Sequence, residues 1–146
     1  MKPLPIFLIL VLTGLATACR VEPEPIVYGT DNCHVCKMTM MDKRFGAEVV
    51  TRKGKVYKFD DVNCMMDFLH SGFLQEQEIK YRLVADYAQP DKLVPADEAF
   101  YIKSAEIRSP MASQVAAFGS EEAYKNFKKE ANGIYLTWGE LTTQFK

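Results

Sequence analysis

The chain has 146 residues, a quarter of them charged, and a formal net charge of −1 at pH 7. That length supports one domain with a real core or two small lobes packed together, and no basic run with interleaved aromatics offers nucleic acid a footprint. With two histidines in the whole chain, no Ser/His/Asp set, no phosphate-cradling glycine loop and no paired carboxylates, acid–base catalysis is poorly supplied and no catalytic residue is assigned.

The first elements are processing signals. Lys2, the apolar stretch Ile6 to Leu12 and the small residues Ala16, Thr17 and Ala18 read as a secretory signal over residues 1–18, its core too short to span a bilayer. Leu15-Ala16-Thr17-Ala18-Cys19 resembles the bacterial lipobox, although Ala16 stands where a bulky residue is more usual. The resemblance implies cleavage before Cys19 and a diacylglycerol anchor on its sulfur, which would hold the protein to a membrane of the cell envelope, facing the periplasm or extracytoplasmic space. Arg20-Val21-Glu22-Pro23-Glu24-Pro25 cannot form a helix, so residues 19–27 read as a lipidated tether and residues 28–146 as the domain.

The domain opens with Cys33-His34-Val35-Cys36-Lys37-Met38-Thr39-Met40-Met41, two thiols, an imidazole and three thioethers in nine residues. Polarizable sulfur selects Cu(I) over harder cations, and the methionines tip the reading toward copper. Three cysteines remain beyond Cys19, and an odd count in an exported chain leaves at least one thiol needing a metal or burial for protection. Cys33-x-x-Cys36 is not a haem attachment site, because Lys37 stands where histidine is required. A thioredoxin-like pair lacks a preceding strand, a structural zinc site would have to recruit Cys64 and His70, and a plain disulfide is the bland alternative. For one Cu(I) ion, Cys36 and Met38 are the first donors, converging if the backbone is extended. Met111, in the loop Ser109-Pro110-Met111, is the third. Cys33 stands between ligand and disulfide, Cys64 between ligand and buried small hydrophobe, and His34 ranks below the sulfurs as a nitrogen donor. Met40 and Met41 lean toward packing.

Next, Gly46 to Thr51 and Lys55 to Phe59, joined by Arg52-Lys53-Gly54, predict a β-hairpin. Asp60 or Asp61 caps a helix whose Val62, Met65, Met66 and Leu69 form a stripe, ending at Ser71-Gly72. Ile79 to Tyr87 predicts a strand with Tyr81, Leu83, Ala85 and Tyr87 on one face, broken by Gln89-Pro90-Asp91. Phe100 to Ile102 and Val115 to Phe118 follow as strands. Ser120-Glu121-Glu122-Ala123 opens a second helix, Ile134 to Leu136 is a short strand, and Thr137 to Phe145 is a terminal helix with Trp138 as a core anchor.

Val56-Tyr57-Lys58-Phe59-Asp60-Asp61, Cys64 and Phe68 match Val115-Ala116-Ala117-Phe118-Gly119-Ser120, Ala123 and Phe127 at one constant offset. The expected fold is therefore α+β, two small similar lobes of about residues 28–90 and 91–146, each a short antiparallel sheet covered by a helix.

The lipobox, Cys36-Lys37-Met38, the strand Ala99-Phe100-Tyr101-Ile102 with Ser104 after it, and Ser109-Pro110-Met111 leading to Ala117-Phe118 together resemble the NosL family of copper-binding lipoproteins. The resemblance implies a non-catalytic Cu(I) chaperone of two related α+β lobes, with Cys36, Met38 and Met111 as ligands. Its implied partner is periplasmic nitrous oxide reductase or the machinery that matures it. Two departures stand out: the family usually has glycine where Lys37 stands, and Cys33 and Cys64 lie outside its minimal pattern. They leave room for extra thiolates or another recipient. The competing expectations are a thiol-disulfide oxidoreductase using Cys33 and Cys36, and a structural zinc module.

Overall fold

Residues 20–145 are described here in a computed structural model. The signal sequence and the lipidation expected at Cys19 lie outside the described residues. Among the described residues, seven strands form two antiparallel sheets. In the first lobe, β1 (Ala47–Thr51) and β2 (Val56–Phe59) form the expected hairpin, α1 (Val62–His70) follows, and β3 (Ile79–Asp86) returns beside β1. In the second, β5 (Phe100–Lys103) pairs with β6 (Val115–Phe118), α2 (Glu121–Glu130) follows, and β7 (Ile134–Leu136) returns beside β5. The terminal α3 (Trp138–Gln144) comes last. With β4 (Gln89–Pro95) beside β3, the sheet orders are β2-β1-β3-β4 and β6-β5-β7, so the second sheet repeats the first without β4.

The repeat read from the sequence is a repeat of structure. Asp61 caps α1 after β2, and Ser120 caps α2 after β6, at the same spacing. Each cap supplies a side-chain oxygen to a helix amide that has no partner within the helix. Phe59 and Phe118 end their strands fully buried. On α1, Val62, Cys64, Met65, Met66 and Phe68 are buried against the first sheet, at about 1.5–3 kcal/mol for each large apolar side chain. The main core runs through both lobes, from Phe59 and Met66 to Tyr101 and Leu141, and a smaller cluster of Ile102, Phe118 and Tyr124 lies under α2.

Three expectations change. Gln89-Pro90-Asp91 does not end the first sheet: β4 (Gln89–Pro95) pairs with β3, so the lobes divide after Pro95 rather than at 90. Proline is tolerated because β4 is an edge strand, and Asp91 accommodates the irregularity with φ 75°. Secondly, the core side of β3 carries Ile79 and Val84, while Tyr81 is exposed. A register shift opposite Val50/Thr51 breaks the simple alternation, and β3 lies between β1 and β4 with its C-terminal half buried on both faces. Thirdly, Arg20–Pro25 is not a free spacer. It lies against the first sheet, with the Glu24 amide donating to Glu48 Oε1 (3.1 Å), Lys58 Nζ to the Pro25 carbonyl (2.9 Å) and Lys80 Nζ to that of Val21 (2.8 Å). At the next turn of this strap the packing leaves no room: a Cβ on Gly46 would clash with the Tyr28 hydroxyl.

Candidate metal centre

The Cys33–Met38 run is a closed loop rather than an extended strand. Asn32 and Thr39 bridge antiparallel at its neck, where Thr39 Oγ1 also donates to Asn32 Oδ1 (3.0 Å). Inside, the Cys33 amide donates to the Met38 carbonyl (2.9 Å) and the Lys37 amide to the Cys33 carbonyl (3.1 Å). Turning the chain this tightly puts Lys37 at φ 64°, in the left-handed region where glycine is favoured. The loop is then laid on the sheet: the His34 amide donates to the Lys58 carbonyl (2.7 Å), and Lys58 Nζ pairs with Asp31 (2.7 Å). One residue of β2 therefore holds the loop from both its backbone and its side chain.

This placement brings Cys33 and Cys36 over the first turns of α1, where Cys64 faces them. The three Sγ atoms all lie within 4.8 Å of one another, and all three thiols are free. A metal–thiolate bond of about 2.3 Å puts two sulfurs of one ion at most about 4.6 Å apart. The cluster is thus within a few tenths of an ångström of closing on a single ion. Cys33 and Cys64 are buried and Cys36 is partly exposed, so the pocket has one open side.

The thiols do not share protons evenly. The Cys64 thiol, with the backbone amides of Asp60, Cys36 and Val35, donates toward Cys33 and lowers its pKa to about 4. Cys64, hydrogen-bonded to Cys33 and desolvated beside it, is pushed far up, and burial raises Cys36 as well. Asp60, next along the chain from β2, has a buried Oδ1 without a hydrogen-bond partner. Burial and the nearby Cys33 charge push its pKa up to about 6.

Of the other expected donors, Met111 is seated beside α1. Asn63 Nδ2 donates to its carbonyl (2.8 Å) and its amide donates to Asp61 Oδ2 (3.1 Å), so the loop after Pro110 is clamped to the turn that carries Cys64. Met111 and Cys36 pack partly buried against the same core cluster that holds Cys33 and Cys64. Met38 sits on the loop's rim with its side chain 55% exposed. The extended backbone expected to align Cys36 with Met38 is replaced by the left-handed turn between them. His34 is not among the converging donors: its ring lies edge-on to Tyr57 (4.8 Å) and Phe68 (5.3 Å). Burial there, and then the charges of Lys37 and Lys55, lower its pKa. Nor does His70 join the thiols, because its Nδ1 meets the Phe145 carbonyl (3.0 Å). Met40 is buried as filler, whereas Met41 is exposed and does not pack.

Asp61 and Asn63 were not singled out as parts of the site. The signal for Asp61 was present as a helix cap, but its second carboxylate oxygen finds Met111 and Ser113 only across the two lobes. In the second lobe, Ala123 occupies the position equivalent to Cys64, so only one of the two repeated units carries the thiols.

The sequence model of the NosL family matches residues 26–145 of the chain. The crystal structure of the copper chaperone NosL from Shewanella denitrificans superposes with a TM-score of 0.69 at 18% identity, covering 83% of this chain and 96% of that one. At that identity the likeness establishes the fold. No match is found among curated protein sequences.

Proposed function

The chain belongs to the NosL family, and from that premise we propose that it is a Cu(I) carrier that binds one ion through Cys33, Cys36 and Cys64. The observation that carries the reading is the convergence of three reduced sulfurs with no nitrogen or carboxylate donor among them. Soft thiolates favour Cu(I), whereas a structural zinc site is almost always completed by a fourth ligand. His70, the residue expected to supply it, is engaged elsewhere. Met111 and Met38 flank the cluster as thioether donors for a passing ion, Met111 from the clamped loop and Met38 from the solvent rim.

The same arrangement argues for transfer rather than catalysis. Cys36 and Met38 are the accessible donors, so an incoming partner thiolate or imidazole meets the ion from that side while Cys33 and Cys64 still hold it. A thiol-disulfide oxidoreductase requires the opposite distribution, an accessible thiolate. Here Cys33 is 1% exposed, and burial raises the pKa of Cys36, the one thiol of the three that is partly exposed. The carrier works outside the cytoplasm, anchored through lipid on Cys19, and its recipient is a cuproenzyme. Nitrous oxide reductase or its maturation machinery is the recipient that the family relationship favours, and the Shewanella protein described as a copper chaperone supports a delivery role.

Titration of the reduced protein with Cu(I) against a competing chelator tests the reading. One ion is expected per chain, held more tightly than by a Cys36→Ser, Cys64→Ala double variant. Equal retention by the two proteins would sink the proposal. Transfer is tested separately, by mixing the loaded protein with apo nitrous oxide reductase and following copper into the enzyme.

A further inference from the structure

The tip of the first sheet gathers cations that have no acidic partner. Arg52, Lys53 and Lys55 lie in the β1–β2 turn, and Lys80 is the second residue of β3. None of the four forms an ion pair among the described residues. Arg52 Nε donates to the Gln77 carbonyl (2.9 Å), Lys80 Nζ to the Val21 carbonyl (2.8 Å), and Lys55 Nζ stands 4.9 Å from the Tyr57 ring centroid. The acidic groups nearby are otherwise engaged: Glu22 with Arg20, Glu76 with Arg82, and Glu78 with the Gln75 amide. A cleft of about 360 Å³ opens at this tip, lined by Arg52, Lys53, Lys55, Tyr57 and Leu74 among others, with Glu78 as its one acidic lining residue. Beside it the Phe73 ring, 60% exposed, stands 5.9 Å from that of Tyr57.

The strap leaves the domain at this tip. Val21 is held there by Lys80, and a Cβ on Gly54 would lie 3.7 Å from its Cγ2 atom. Because residues 20–28 are docked, little chain separates the tip from Cys19, and whatever Cys19 is attached to must face these side chains. We propose that the tip is a docking surface for an anionic phospholipid bilayer. Arg52, Lys53, Lys55 and Lys80 take the headgroup phosphates, and Phe73 with the apolar part of the cleft meets the edge of the acyl region. The thiol cluster lies toward the other end of β2, next to Asp60, and the His34 ring of its loop stands 6.4 Å from that of Phe73. The choice of a bilayer rests on the lipid-anchor reading of Cys19, and the test omits that residue so that the two readings fail separately.

A chain of residues 20–146 contains every strand and helix of the described residues and lacks Cys19. Its sedimentation is measured with vesicles of phosphatidylglycerol and phosphatidylcholine in equal parts, and with phosphatidylcholine alone, at about 0.1 M salt. Preferential binding to the anionic vesicles is expected. Lys53→Ala with Lys55→Ala should lower the partition about twenty-five-fold, at roughly fivefold for each charge. Lys128→Ala with Lys129→Ala, on α2, should leave it unchanged. No binding to either vesicle, equal binding to both, or equal loss from the two double variants overturns the proposal. Acyl labelling of the full chain tests the anchor on Cys19 independently.

Discussion

Asp61 holds Met111: one carboxylate oxygen of the α1 cap accepts the Val62 amide at 2.7 Å, and the other accepts the Met111 amide at 3.1 Å. The same second oxygen takes the Ser113 amide at 3.3 Å. A single buried side chain therefore starts the helix that presents Cys64 and ties to it the loop of the other lobe that presents Met111.

Replacing Asp61 by alanine removes a cap, worth about 1 kcal/mol, and strands two loop amides in a buried setting, at about 1–3 kcal/mol for each. Asp61→Ala is expected to lose on the order of 3 kcal/mol in urea unfolding and to weaken Cu(I) binding as well. A loss no larger than an ordinary cap would show that the loop amides find other partners and that the clamp is not structural.

Cys64→Ala separates metal binding from folding. The second lobe already carries alanine at the equivalent place, Ala123, within an intact helix. The helix should therefore tolerate the change at about 1 kcal/mol for the sulfur removed. Cu(I) affinity should fall by more than about a hundredfold, beyond what losing an outer partner of a ligand costs. Chelator competition beside thermal melting gives both quantities, and unchanged affinity would remove Cys64 from the ligand set.

Glu48 makes stability fall as pH rises. It is fully buried on β1 opposite Lys58, with Oε2 unpartnered, and burial raises its pKa from 4.5 to about 7. A carboxyl whose folded pKa lies above its unfolded value keeps its proton better when folded. Its favourable contribution is complete below about 4.5 and is lost as pH climbs to about 7. Glu48→Gln should remove a decline on the order of 3 kcal/mol across that window. The difference between the variant and the parent in urea unfolding, taken from pH 4.5 to 8, isolates it from Asp60, which shifts in the same direction. A difference that does not change with pH would refute the assignment.

Lys37 occupies a glycine's conformation. Its φ of 64° carries a penalty of about 1–2 kcal/mol for a residue with a Cβ, against up to about 1 kcal/mol of extra unfolded-state entropy for glycine. Lys37→Gly should stabilise the protein by roughly 0.5 kcal/mol and leave the three thiols in place. Destabilisation would mean that the Lys37 ammonium's bond to the His34 carbonyl outweighs the backbone strain.

The two-lobe plan was legible because it rests on local chemistry written twice: an alternating strand, a capping oxygen and an amphipathic helix at the same spacing. β4 was hidden because Pro90 and Asp91 carry turn chemistry, and only its place at a sheet edge makes them tolerable. The strap was hidden for a related reason. Arg20–Pro25 is polar and proline-bearing, and its seat depends on Glu48, Lys58 and Lys80 from three different strands.

For the site, residue chemistry was sufficient to name sulfur, and the run from Cys33 to Met41 together with Cys64 and Met111 contains every donor weighed for copper. Which of them meet was a matter of tertiary structure. Sequence adjacency put His34 and Met38 beside the thiols, yet a left-handed turn sends Met38 to the rim and edge-on packing against Tyr57 and Phe68 occupies His34. Cys64 is nearly thirty residues from Cys36 in the numbering, and it joins the pair only because Lys58 fastens the loop to β2 and Asp61 starts α1 immediately after it. Donor identity belongs to single side chains and is readable one residue at a time. Donor convergence is a property of the packed chain, set by hydrogen bonds between segments distant in sequence.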